Sequence, residues 1–388
     1  MDVKKLLPLY IGAAIGPLGG FGIVTLIPVF VQDWAVEFGT ASLSITFYMA
    51  PFIIILIFSG SIAQVFDVRK TLLFGFAVYA LGATMCGLSP SLWTLLASRI
   101  VQGIGAGFLT PVIMALIGEL VPERHVGKAM GILGLAYTVG VTLGPLISGL
   151  IEVRYGWPWF FYFLSAIALG AGTLYAVSRD TKQPGKGEQF GLLEILPILK
   201  QALLQPGVLY LSLAAFSLFI AYIGIMTFTA DHMKTSLGLP SDQIGTILSG
   251  TGFSGIIVSP IAGFLGDHLG RKKVFFGGCS IAILSVVMMV LSPNAFTPYL
   301  ICFLVLGTGA ATAWTSLNTM AVESSPSLRQ PVTSVYNAIK FSGYALSPVI
   351  LSFLYAPLHI RAVQRACIFA IVIACFLASK PKTYSNKS

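Results

Sequence analysis

Residues 263–273 read GFLGDHLGRKK, and 203 positions earlier, at 60–70, the chain reads GSIAQVFDVRK. A charged cassette that occurs twice in an apolar chain signals an internal repeat. The match extends outward at an offset of 203 or 204. Gly103, Gly105 and Ala106 recur as Gly307, Gly309 and Ala310, Glu119 and Pro122 as Glu323 and Pro326, and Gly140 and Pro145 as Gly343 and Pro348. Ordered matches in four corresponding elements divide the chain into two similar halves. Two related membrane bundles with a site between them are a common basis of alternating access.

The 388 residues are 56% hydrophobic and 10% charged, with a mean hydropathy of +0.88. That leaves too little polar surface for a soluble globular domain. Twelve apolar segments follow one another near 7–31, 43–66, 71–88, 92–121, 128–151, 157–177, 208–231, 243–266, 273–291, 298–322, 331–355 and 360–378. At 1.5 Å per helical residue each is long enough to cross roughly 30 Å of hydrocarbon. The expected fold is an all-α membrane protein: twelve transmembrane helices in two pseudo-symmetric six-helix bundles, 1–177 and 207–388. Between them, 178–206 reads as a cytoplasmic linker whose stretch GLLEILPILKQALL, 191–204, suits a surface amphipathic helix. Lys4 and Lys5 before the long apolar stretch from Leu6 superficially resemble a signal peptide, but the stretch is too long and reads as a retained first helix.

Of the 23 lysines and arginines, Arg154, Lys234, Arg361 and Arg365 fall on one side, Arg99 and Lys340 fall within spans, and the other 17 fall on the opposite side. The asymmetry places both termini in the cytoplasm. It also accounts for the net charge of +9 through loops that face anionic lipid, with no nucleic-acid partner. The five cysteines lie in apolar runs without metal-ligand spacing and read as core residues, so no cofactor or metal is expected. The four histidines, His125, His232, His268 and His359, are scattered over loops on both sides and form no catalytic constellation. An enzyme is therefore not expected, and an even twelve-span pattern leaves no filter segment for a channel.

Three elements together resemble the major facilitator superfamily over essentially the whole chain. The loop signature G-x-L-x-D-x-x-G-R-K is met by Gly263, Leu265, Asp267, Gly270, Arg271 and Lys272. Span four carries RIVQGIGAG, with Arg99, Gln102, Gly103, Gly105 and Gly107. Span five carries GVTLGPLISG, with Gly140, Gly144, Pro145 and Gly149, an element typical of the drug/proton antiporter branch. The resemblance implies a monomeric secondary transporter in the cell membrane with a small-molecule substrate and protons as coupling ion. It also implies a gate at the repeated loop: Asp267 at the start of span five in the other half, Arg271 and Lys272 against Glu119 or Glu123, and Glu119 and Glu323 as symmetric gate contacts. In the first copy Gln64 replaces Asp267, Asp67 replaces Gly270 and Val68 replaces Arg271, followed by Arg69, so an asymmetric latch is expected. Gly140, Gly144 and Gly149 permit close helix approach, and Pro145 removes a backbone hydrogen bond.

Arg99 lies well inside span four, where a cation costs roughly 3 kcal/mol on insertion scales, so a polar partner is expected; Gln102 and Asp33 are the candidates. Lys340, in VYNAIKFSGY, sits near the middle of span eleven, with Asn337 or Asn318 as bundle partners. It is a candidate for binding an anionic substrate or for gaining and losing a proton. Tyr222, Trp314, Tyr336, Tyr48, Phe52, Tyr137, Phe216 and Phe341 lie on helices that line the cavity in the family. Exporters of cationic drugs generally carry a carboxylate deep in span one, seven or ten. Here those spans have none before Asp33, Asp231 and Glu323, all at edges. The function expected is export of small amphipathic organic compounds or drugs coupled to protons. The alternative is an exchanger or uptake carrier for small organic anions that uses Arg99 and Lys340.

Overall fold

A computed structural model of the chain describes residues 3–178, 192–325 and 329–380, and all regular structure among them is helical. The chain forms two compact units, Met1–Leu192 with Met233–Ser249, and Leu193–His232 with Gly250–Ser388. In the first unit lie α1 (Val3–Trp34), α2 (Phe38–Phe66), α3 (Val68–Gly87), α4 (Leu92–Leu120), α5 (Glu123–Tyr155) and α6 (Pro158–Val177). The second draws on α7 (Leu192–Leu203), α8 (Pro206–Thr235), α9 (Ser241–Leu269), α10 (Arg271–Leu291), α11 (Phe296–Glu323) and α12 (Arg329–Ser379).

Eleven of the described helices are long and apolar enough to cross a membrane. The count of twelve is recovered in α12. Its 51 residues would run about 76 Å as one helix, more than twice the hydrocarbon thickness. His359 breaks the run with φ 57° and ψ −168°, so α12 is two span-length arms, 329–358 and 360–379. The short α7 falls within the stretch 191–204, and 179–191 lies outside the described residues. Ala202 of α7 is buried with Val208, Val332 and Val335, and Leu199 and Ile339 pack beside them.

Local chemistry explains where helices start. Ser91 caps α4 in a reciprocal box with Thr94. Pro158 occupies the first turn of α6, where its missing N–H costs nothing. The two cassettes turn alike. Gly270 has φ 93° and ψ 134°, and Asp67, at the equivalent position, has φ 84° and ψ 125°. Asp67 tolerates a region that favours glycine because its carboxylate caps α3, accepting from Lys70 N–H at 3.1 Å.

Each unit also repeats the other's internal packing. A methyl group at Gly105 would lie 2.6 Å from Tyr79 Cα, and one at the equivalent Gly309 would lie 2.9 Å from Ala282 Cα. Gly103 backs onto the Tyr48 carbonyl and Gly307 onto that of Thr251; Gly140 backs onto the Ala14 carbonyl and Gly343 onto that of Phe216. These contacts let neighbouring helices approach until backbones touch, which drives helix association where lipid offers no hydrophobic incentive. Basic residues follow the same plan. Arg69 donates to the Ala176 carbonyl at the end of α6, and Lys272 to the Ser379 carbonyl at the end of α12, at 3.2 Å. Cations there satisfy orphan carbonyls and complement the negative end of the helix dipole.

Candidate functional site

In the first unit the span-four element builds a polar centre. Arg99 is fully buried. Its Nε donates to the Ser44 carbonyl at 3.1 Å, and its Nη1 to Gln102 Oε1 at 2.7 Å and to the Gly19 carbonyl at 3.4 Å. The guanidinium lies 4.1 Å from the Tyr48 ring centroid, a geometry worth about 2 kcal/mol when desolvated. Tyr48 and Tyr79 donate in turn to the Gly16 and Ile15 carbonyls, each at 2.9 Å. Arg99 thus ties α4 to α1 and α2 through backbone oxygens. Of its two candidate partners, Gln102 is found beside it, whereas Asp33 is exposed at the end of α1 and accepts from Trp157 Nε1 at 2.8 Å.

The second unit holds an aromatic cage on α8, α11 and the first arm of α12. Lys340 Nζ donates to Asn337 Oδ1 at 2.6 Å and lies 4.7, 5.3 and 5.7 Å from the ring centroids of Phe341, Tyr336 and Phe219. Three rings that present their negative faces offset part of the cost of a cation at this depth. Phe219 stacks on Trp314 with centroids 4.8 Å apart, and Tyr222 meets Trp314 edge-on at 4.7 Å. Tyr222 donates to Thr251 Oγ1 at 2.9 Å. Beside this cluster is a small apolar pocket lined by Leu218, Tyr222, Ile225, Ala310, Trp314 and Ile371 among others. Asn318, the other candidate partner of Lys340, is exposed on α11.

Asp231 is where the sequence reading missed most. Placed at an edge of its span, it is only 5% exposed, the one buried carboxylate among the described residues. Tyr355 of α12 donates to its Oδ2 at 2.6 Å, and the Tyr355 ring packs 4.9 Å from Phe228. The signal that could have found it is the adjacent pattern of Asp231 at the end of an otherwise uncharged span and a tyrosine at the end of the facing one.

The second cassette gathers charge around Arg271. Its Nη2 donates to Asp267 Oδ1 and lies 3.5 Å from Glu323 Oε1, and its Nη1 donates to the Gly263 carbonyl at 3.1 Å. A cation at the first residue of α10 opposes the helix dipole, and the two carboxylates neutralise it. Glu119 is exposed on α4, while the side chains of Glu123 and Gln64 lie outside the described residues. In α5, a methyl group at Gly144 would lie 2.7 Å from the Leu18 carbonyl oxygen, and Thr25 donates to the carbonyl of Pro145 at 3.4 Å. Gly149 backs onto the Ser241 carbonyl. Among the described residues no group of three or more histidines, cysteines or acids could hold a metal ion.

The chain is similar to the multidrug resistance protein B homolog of Mycobacterium tuberculosis (strain CDC 1551 / Oshkosh), 28% identical over 188 residues, 47% of this chain and 34% of that protein. The match thus spans about a third of that relative's length. It is also similar to the riboflavin transporter RibZ of Clostridioides difficile (strain 630), 23% identical over 401 residues, 90% of this chain and 88% of that protein. Among solved structures, a bacterial homolog of the human lysosomal transporter Spinster superposes with a TM-score of 0.80 at 14% identity, covering 98% of this chain and 96% of that one. A peptide transporter, POT, superposes with a TM-score of 0.75, also at 14% identity, over 97% and 94%. These structures share the fold. The profile of the Major Facilitator Superfamily matches residues 9–240 and 211–388, so both repeats are covered and the chain belongs to the Major Facilitator Superfamily, whose members here are transporters and not enzymes.

Proposed function

We propose that the chain is a proton-coupled secondary transporter that exports small amphipathic organic compounds by alternating access between its six-span halves, 1–177 and 207–388. In this reading it resides in the cell membrane as a monomer with both termini cytoplasmic, and 178–206 is a cytoplasmic linker. The observation that carries it is the pairing of two sites on the same two helices. α8 and α12 bear the aromatic cluster of Phe219, Tyr222 and Lys340, and also the buried Asp231–Tyr355 pair. A carboxylate is the group that trades a proton for cargo, and a hydrogen bond to the charged form is sensitive to protonation. Loss or gain of that proton changes how α12 is held against α8, and so bears on the cargo slot along the same helices. Arg99, enclosed by carbonyls, acts as a structural tie, and the Asp267–Arg271–Glu323 cluster as part of a cytoplasmic latch. The names of the relatives, one a multidrug resistance protein and one a riboflavin transporter, support flat amphipathic cargo.

Proteoliposomes with an acid lumen test the proposal, with riboflavin as probe. The gradient should drive probe inward as protons leave, and Asp231→Asn should abolish that accumulation while downhill counterflow survives. Uptake that ignores the gradient excludes proton coupling, and full accumulation by Asp231→Asn removes the role given to this carboxylate. A second reading, an exchanger or uptake carrier for organic anions, is favoured by Lys340, the charge nearest the aromatic slot.

A further inference from the structure

We infer that the Lys340 cage is a recognition site for the carboxylate of an aromatic anion, with the arene against the rings that surround Lys340. The inference names the substrate class of the transport site and rests on the transport reading given above. An ammonium has three N–H donors. One of those on Lys340 goes to Asn337 Oδ1 and three ring centroids lie 5.7 Å or less from the nitrogen, so two donors are left for an incoming acceptor. One turn away on α12, the Tyr336 hydroxyl is buried and makes no hydrogen bond among the described residues. A buried donor without a partner is costly unless something supplies an acceptor. A carboxylate supplies two oxygens and the opposite charge, and no carboxylate among the described residues lies within 4.0 Å of Lys340.

The repeat sharpens the case, because the first half lacks the cage. Where the second half has Tyr336, Asn337, Lys340 and Phe341, the first has Leu133, Gly134, Tyr137 and Thr138. Trp314 corresponds to Thr110, and Tyr137 donates to the Thr110 carbonyl at 3.1 Å. The first-half position is therefore neutral and closed on itself, while the second-half position holds a cation with spare donors among aromatic rings. Packing alone needs no lysine there, since the Tyr137 arrangement packs the equivalent helices without one.

Charge then selects the ligand. A cationic compound would meet Lys340 without a counter-charge, since Asp231 lies 12 residues along α8 from Phe219, about 18 Å at helical rise. Arg99 is fully buried in the first unit; its Nε and Nη1 donate to protein oxygens, and its Nη2 has no hydrogen-bond partner among the described residues. Phe219, stacked on Trp314, and the edge-on Tyr222 make the surroundings aromatic, and an arene favours ring neighbours over aliphatic ones.

Three probes of one shape and different charge test this: 2-naphthoate, 2-naphthamide and 2-naphthylmethylammonium, titrated against the purified full chain by thermal stabilisation. Naphthoate should half-saturate at a concentration at least tenfold below that of naphthamide, with the ammonium weakest. In Lys340→Met the naphthoate-to-naphthamide ratio should collapse to about one, and Lys340→Arg should keep a preference for the anion. Equal binding of naphthoate and naphthamide by the natural chain overturns the inference, as does a tenfold preference that persists in Lys340→Met. If that variant fails to fold, Lys340→Gln and the natural chain's own ratio decide the question. The binding ratio involves no proton gradient, so the two readings fail separately. Selective naphthoate binding with no gradient-driven movement of any probe defeats proton-coupled export and leaves the site standing. Gradient-driven riboflavin uptake without a naphthoate preference defeats the site and leaves export standing.

Discussion

Replacing Arg99 by lysine keeps the charge and removes the fork, which separates the two jobs a buried arginine can have. The guanidinium donates from Nε to Ser44 and from Nη1 to Gly19 and Gln102, so it reaches α2, α1 and its own helix at once. A lysine nitrogen is a single point and cannot hold all three directions. If it keeps the Gln102 contact, the Ser44 and Gly19 carbonyls lose a charged donor in a fully buried setting. Hydrogen bonds to charged groups contribute about 1.5–3 kcal/mol each, so two lost bonds amount to about 3 kcal/mol or more. With about 2–4 °C per kcal/mol for domains of this size, Arg99→Lys should melt at least about 6 °C below the natural chain. Size-exclusion chromatography after heating in detergent reads this directly. Arg271→Lys is the control: its carboxylate partners are 60% and 56% exposed, and such pairs contribute about 1 kcal/mol or less. A melt of Arg99→Lys within about 1 °C of the natural chain would refute the tie. If transport coupling were lost at unchanged stability, the arginine would belong to the coupling pathway instead.

Gly105→Ala should destabilise the first unit by about 1–3 kcal/mol, because its methyl group would press on the Tyr79 backbone. Gly134→Ala, on a helix surface with nothing within 4 Å, should be neutral or raise stability by up to about 1 kcal/mol through helix propensity. The same thermal melts compare the two, and equal losses would contradict the close-packing account. Glu323→Gln should change stability by less than about 1 kcal/mol, while loss of its charge beside Arg271 should alter the accessibility of engineered cytoplasmic cysteines to a membrane-impermeant maleimide. Unchanged labelling would remove Glu323 from the latch.

The repeat, the span count and the close-packing glycines were legible because each leaves a residue-type mark at a fixed offset. Gly270 likewise marks a turn. Asp67, turning in the same way, does not look like a turn residue until its capping bond to Lys70 is seen. The break in α12 at His359 falls where the apolar segments 331–355 and 360–378 part, although a histidine at positive φ carries no glycine signal. The partners of Arg99 beyond Gln102 were out of reach because they are backbone carbonyls, and the sequence names only side chains. Asp231 shows the deeper limit. Position along a span tells depth, but burial depends on which face the residue occupies and on a tyrosine 124 residues away. Lys340 and Asn337 were paired correctly because they lie one turn apart on one helix. Asn318 was not excluded, because its side of α11 is decided by packing.

In the proposed mechanism cargo and protons exchange through the helices that carry both the cage and Asp231. A pH-sensitive dye sealed in the lumen of acid-loaded proteoliposomes measures it. Adding riboflavin or 2-naphthoate outside should alkalinise the lumen in proportion to cargo entry with the natural chain and leave it unchanged with Asp231→Asn. Cargo entry at full rate with no change in luminal pH would contradict the account.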